Sequence, residues 1–214
     1  MNFFGTSFLS RTLFTEHLIH ENSLDKNGFK EWVFHPGMLF NASDKWWGNQ
    51  TKRNTPHEGL DLCLYGDRHG KIRRFDETTK IPAIYDGIVV GIVDDFLGRT
   101  IILEHDLSDH NNNRFCTIYA HINPLKSVHP GKYVKEGAVI ATITEPLNSK
   151  VKTLSHLHIS IGWASESISY DKFDWKTIGT SNTLNLVNPL YIVHRHSRVL
   201  NRISSMSELL HQLP

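Results

Sequence analysis

From about residue 55 onward the chain is a succession of short β-branched and aromatic runs, broken by Gly, Pro, Asp and Asn. The runs "GLDLCLYG", "IPAIYDGIVVGIVDD", "RTIILEHD", "RFCTIYAHI", "GKYVKEGAVIATI" and "HLHISIGW" each have the length and composition of a strand. Turn-forming stretches such as "HDLSDHNNNR" and "VHPGK" separate them. Many short strands at close spacing predict a mainly β fold, an antiparallel sandwich or barrel-like sheet.

The flanks have a different texture. Residues 1–54 are irregular and rich in aromatics and Asn, with a weak helical pattern around Leu13 to His20, and are expected to wrap the domain as an N-terminal arm. Residues 55–193 form the expected domain. In 194–214, Val199, Leu200, Ile203, Met206, Leu210 and Leu213 fall near helical spacing, which predicts a C-terminal helix over one edge of the sheet. A length of 214 residues suits one domain with attached segments.

Composition removes several functions. A formal charge of +1 argues against nucleic acid as the partner. Two cysteines, Cys63 and Cys116, can make neither a disulfide framework nor a cysteine-rich zinc finger. The opening "MNFFGTSFLSRTLF" has no basic residue before its apolar patch and is too short to span a membrane, so a soluble chain without a clear signal peptide is expected.

Three motifs carry chemistry. "LSHLHISI" places His156 and His158 two apart in a strand-like run. Such residues share one face about 6–7 Å apart, so both rings can bind one metal, or one can bind while the other stands beside it. "TPHEGLDL" sets His57 four residues before Asp61; fully extended they would lie about 13 Å apart, and Gly59 between them is expected to take positive φ and fold the segment. "TIYAHINP" ends a strand at His121, before a turn at Asn123-Pro124. The HxH at His194 to His196 has no such companions. Together His, Asp and His form an acceptable zinc set with a position left for water, and the further histidines can move protons.

In order and form these motifs resemble the lysostaphin-like, or LytM-type, zinc endopeptidases that cut peptidoglycan peptides. The resemblance runs from about Pro56 to Trp163 through "HEGLD", "YAH" and "HLH", with "IPAIYDGIVVGI" and "VHPGKYVKEGAVIATI" like the family's strand pairs. It implies His57, Asp61 and His158 as ligands of Zn2+. It implies His121 and His156 as catalytic histidines flanking a zinc-activated water. The implied partner is a peptide of peptidoglycan cross-links or stem peptides, met in the periplasm or outside the cell. Two departures stand out. No tyrosine precedes "HEGLD", so Arg53 or a tryptophan is the candidate for oxyanion stabilisation or groove contact. The segment "TEPLNSKVKTLS" is longer and poorer in glycine than the family's turn there, which predicts an altered groove wall. The competing readings are an inactive LytM-type regulatory or wall-binding module, and a biotinyl- or lipoyl-type carrier. The carrier needs an exposed lysine in a tight Met-Lys-Met or Asp-Lys-Ala turn, which the chain lacks.

Overall fold

A computed structural model describes residues 11–48, 50–145, 153–166, 169–170, 173, 175, 178, 184–193 and 196–200. Among these residues there are thirteen strands and little helix, so the chain is mainly β and its strands pair almost entirely antiparallel.

The large sheet has nine strands. Its central path runs β12 (Leu184–Val187), β11 (Leu157–Ala164), β8 (Arg114–Pro124), β7 (Arg99–Ser108), β6 (Gly87–Asp94) and β9 (Tyr133–Val134). β2 (Leu60–Leu62) pairs with the first half of β11, and β10 (Val139–Ile143) joins the far end of β8 to β5 (Lys80–Pro82). The small sheet runs β13 (Ser197–Val199), β1 (Phe29–Phe34), β3 (Leu64–Asp67) and β4 (Ile72–Arg74).

One apolar cluster draws on both sheets, with Trp32, Phe34 and Leu64 from the small one and Ile101, Tyr119, Ile159 and Ile161 from the large one. A second cluster contains Ile102, Cys116, Ile118, Ala164, Phe173, Ile178 and Leu184. Adjacent strand residues point to opposite faces, so neighbours such as Ile101 and Ile102 feed different clusters. β11 accordingly has no exposed face and is buried along its whole length.

The region before residue 55 is more regular than its sequence suggests. Helix α1 (Phe14–Glu21) buries Phe14, Leu18 and Ile19 at helical spacing. The side chain of Asn22, just past it, bonds both backbone groups of Lys80 at 2.9 and 2.7 Å, which pins the helix end to β5. β1 is a full strand, where the aromatic residues Phe29, Trp32 and Phe34 suit a pleated, half-buried surface. The C-terminal helix predicted for 194–214 lies, from residue 201 on, outside the described residues. The described part, Ser197–Val199, is a strand pairing parallel to β1. His194, Arg195 and residues 146–152 of the predicted groove wall are likewise outside the described residues.

Candidate functional site

The register of three strands assembles the site. His158 pairs with Asp61 of β2 on one side and with Ala120 of β8 on the other, so Asp61 and His121 arrive beside β11 from opposite flanks. His57 is held by backbone bonds with Asn41 and Ala42, which set it over the start of β2.

Gly59 makes this approach possible, though by a different route from the one expected. It is not among the glycines with positive φ. A Cβ on it would lie 2.3 Å from the carbonyl oxygen of Ile159 and 2.6 Å from Nε2 of His158. Glycine is needed there for close passage of β2 against β11, not for a left-handed turn. β8 also departs from expectation: the strand continues past His121, because Ile122, Asn123 and Pro124 find partners on β10. His121 marks an interruption inside the strand, with φ of 62°. A non-glycine residue in the left-handed region is uncommon and is often held by neighbouring groups at functional sites.

His57, Asp61 and His158 come together as three buried donors whose ligand atoms all lie within 4.8 Å of one another. Nε2 of His57 is 3.3 Å from Oδ1 of Asp61, Nδ1 of His158 is 2.8 Å from that same oxygen, and the two ring nitrogens are 3.2 Å apart. The outward atom of each group has its own partner. Nδ1 of His57 donates to the carbonyl of Leu39 at 3.0 Å, Nε2 of His158 meets the Ser160 hydroxyl at 2.9 Å, and Nε1 of Trp46 donates to Oδ2 of Asp61 at 2.6 Å. With its outer bond made, neutral His57 has a bare Nε2 beside the carboxylate, and Nδ1 of His158 joins them as a third electron-pair donor when that ring carries its proton on Nε2. Orienting partners of this kind are what metal-binding histidines and carboxylates characteristically have. The donor set therefore fits a metal ion, and two nitrogens with one carboxylate oxygen suit zinc.

Burial pushes the Asp61 carboxyl upward, but the facing imidazoles of His57, His156 and His158 outweigh it and hold the group well below the carboxylate range. Burial also lowers His158, against the pull of Asp61.

His156 and His121 stand beside the cluster. His156 donates from Nδ1 to the carbonyl of Leu154 at 2.8 Å, which leaves Nε2 free to face inward, 3.9 Å from Oδ1 of Asp61. Burial pushes it down to about 4, despite the nearby Asp61 carboxylate. The His121 and His156 ring centroids are 4.9 Å apart. Arg53 lies on the outer side of Asp61. Its Nη2 donates to the carbonyl of Gly37 at 3.2 Å and stands 3.9 Å from Oδ2 of Asp61.

Four residues at the site escape sequence reading: Trp46, Asp95, Ser160 and Trp175. Ser160 was legible in principle, since strand alternation places it on the His158 face. Asp95 comes from the turn after β6 and accepts from the His121 ring at 3.0 Å. Trp175 packs its ring edge to face with His158, centroids 5.2 Å apart, and lies more nearly parallel to His121. No local pattern around Trp175 announces that placement.

Residues 68–170 match Peptidase family M23. The match contains His121, His156 and His158 but begins after His57 and Asp61, which the pairing of β2 with β11 brings to it. Comparison with curated proteins gives no match. Among solved structures the chain is similar to lysostaphin, at 19% identity and a TM-score of 0.42, over 68% of this chain and 46% of that one. It is similar to the catalytic domain of lysostaphin from Staphylococcus simulans at 17% identity and 0.36, over 76% and 86%. It is similar to Csd3 of Helicobacter pylori at 17% identity and 0.40, over 82% and 38%. The chain thus spans less than half the length of lysostaphin and of Csd3. Over its central strands, residues 68–170, the chain is thus similar to peptidase family M23.

Proposed function

We propose that this chain is a zinc-dependent endopeptidase acting on peptide bonds of peptidoglycan cross-links or stem peptides. One observation carries the reading: three buried donors converge while two further histidines turn their rings toward the same space. His57, Asp61 and His158 would hold the metal. Zinc, when bound, supplies a Lewis acid and lowers the pKa of water toward about 7.

The chain's own groups supply the rest. A ring nitrogen of His121 or His156 takes the proton of the attacking water as its oxygen bonds to the scissile carbonyl carbon. That proton is then delivered to the leaving nitrogen as the C–N bond breaks, giving a carboxylic acid and an amine. Trp46 and the Leu39 carbonyl fix the ligand orientations. Arg53 is the candidate for oxyanion stabilisation or groove contact. Arg53→Met is expected to lower kcat with zinc retained. Loss of zinc would place Arg53 with Asp61 as its charge partner instead.

Peptidoglycan as substrate puts the site of action in the periplasm or outside the cell. Among the described residues no helix is long and apolar enough to cross a membrane.

A second reading, a binding module without turnover, is favoured by the small exposure of the five residues, between 1% and 6%. One experiment separates the two. Purified cell-wall material is incubated with the protein, with and without chelator, while bound zinc is measured. Peptides released only without chelator support the enzyme. Stoichiometric zinc without release supports the binding module, and absence of zinc uptake defeats the metal site.

A further inference from the structure

The two histidines beside the metal cluster are oriented by unlike partners. Nδ1 of His156 bonds a neutral backbone carbonyl, that of Leu154. Nδ1 of His121 faces a buried carboxylate, Oδ1 of Asp95, at 3.0 Å. Two of the five bonds made by the Asp95 side chain go to His121, and the other three hold the carboxylate in place. Oδ1 also accepts from the backbone N–H groups of Leu97 and Gly98, both at 2.8 Å, which ties the turn around the carboxylate. Oδ2 accepts from the backbone N–H of His121 at 3.0 Å, so one side chain holds both the ring and the left-handed backbone of that residue.

The line of bonds continues. The Thr100 hydroxyl is 2.9 Å from Oδ2 of Asp95, and Nε1 of Trp175 is 3.1 Å from that hydroxyl. Every direction in this chain follows from donor chemistry. An indole N–H can only donate, so Thr100 accepts from Trp175. An ionised carboxylate can only accept, so the Thr100 hydroxyl proton points to Asp95. The same rule requires Nδ1 of His121 to carry a proton. In the neutral ring Nε2 is then the bare nitrogen.

We propose that Asp95, steadied by Thr100 and Trp175, is the positioning residue that fixes the Nδ1–H form and the orientation of His121, making His121 the histidine that accepts the proton in hydrolysis. A carboxylate both orients the neutral ring and stabilises the imidazolium formed when Nε2 takes that proton; the Leu154 carbonyl behind His156 carries no charge for the second task. The role of His121 here rests on the endopeptidase reading, whereas the fixed tautomer does not. Trp175 lies beyond residue 170, where the match to the family ends, so the outer part of this relay is contributed by the chain's own segment between β11 and β12.

The test uses the full-length zinc-loaded protein and its Asp95→Asn and Thr100→Val variants. Asparagine keeps the shape of the turn but can offer an amide N–H to Nδ1, allowing the other tautomer. Nitrogen-15 imidazole NMR, assigned with His121→Gln, should show His121 protonated at Nδ1 and bare at Nε2 in the parent. Asp95→Asn should shift it to a mixture or to the Nε2–H form. With purified peptidoglycan as substrate, Asp95→Asn should lower kcat about 100-fold, with KM little changed and zinc still stoichiometric. Thr100→Val should give a smaller loss in the same direction. A parent His121 protonated at Nε2, or an Asp95→Asn protein with unchanged tautomer and unchanged kcat, overturns the proposal. If the parent hydrolyses nothing, the endopeptidase reading fails and takes the proton-accepting role with it. The NMR signature still decides whether Asp95 sets the ring.

Discussion

At the scale of single residues, the two histidines of "HLH" are chemically alike in sequence and different in place. His158 reaches Asp61 at 2.8 Å, whereas His156 stays 3.9 Å from the same oxygen and bonds the Leu154 carbonyl on its outer side. His158→Ala should therefore cost both zinc and activity. His156→Ala should keep its zinc while hydrolysis falls about 100-fold, as for loss of a general acid or base. Metal analysis beside the activity assay checks the pair, and an H156A protein unable to hold zinc would reverse their roles. Gly59 gives a prediction of stability. Gly59→Ala places a Cβ 2.3 Å from a strand carbonyl, so β2 must shift from β11. A loss of about 1–3 kcal/mol, as for overpacking, should appear as a lower urea midpoint, with weaker zinc binding because Asp61 rides on β2. Which residue types gather at the site was legible from "HEGLD", "YAH" and "HLH". The partners that orient them were not, because Leu39 acts through its backbone carbonyl and Trp46 lies fifteen positions from Asp61 in the chain.

At the scale of elements, the strand runs were readable because β-branched clusters punctuated by turn residues specify little else. β1 was missed because its aromatics sit among turn signals, and only pairing with β3 shows them as a strand. The continuation of β8 past His121 was hidden by Asn123-Pro124, which reads as a turn until β10 supplies a partner. Within β7 a buried histidine couples this sheet to pH. Nδ1 of His105 bonds the carbonyl of Asp86 and Nε2 the hydroxyl of Thr117, both at 2.8 Å. Burial lowers its pKa from the ordinary 6.5, against opposing pulls from the Asp86 carbonyl and the Glu104 charge. The unfolded chain then binds the proton more readily than the folded one. The contribution of His105 to stability is whole above its ordinary value and is lost as pH falls below it. Urea midpoints measured from about pH 7.5 down to about pH 5 should fall. His105→Gln, which can reproduce both bonds without titrating, should flatten that slope; an unchanged slope would remove His105 as its source.

At the scale of the whole molecule, the site is held by distant parts of the chain, with 101 positions separating His57 from His158. Metal binding should therefore stabilise the fold globally. At free zinc of about 100 times Kd the linkage amounts to about 2.7 kcal/mol, so chelation should lower Tm measurably and added zinc should restore it. A Tm indifferent to chelator would mean that the cluster holds no ion. The small sheet extends the same dependence on distant segments to the order of synthesis. Arg198 on β13 bonds Glu31 on β1, 167 positions away, and the backbone N–H of Trp32 donates to the carbonyl of His196. On the ribosome β1 can pair with β3 soon after residue 67 emerges, but its other edge waits until β13 is made. The growing chain therefore carries one open strand edge from the completion of β3 until β13 arrives, a template for β-pairing with a neighbouring nascent chain.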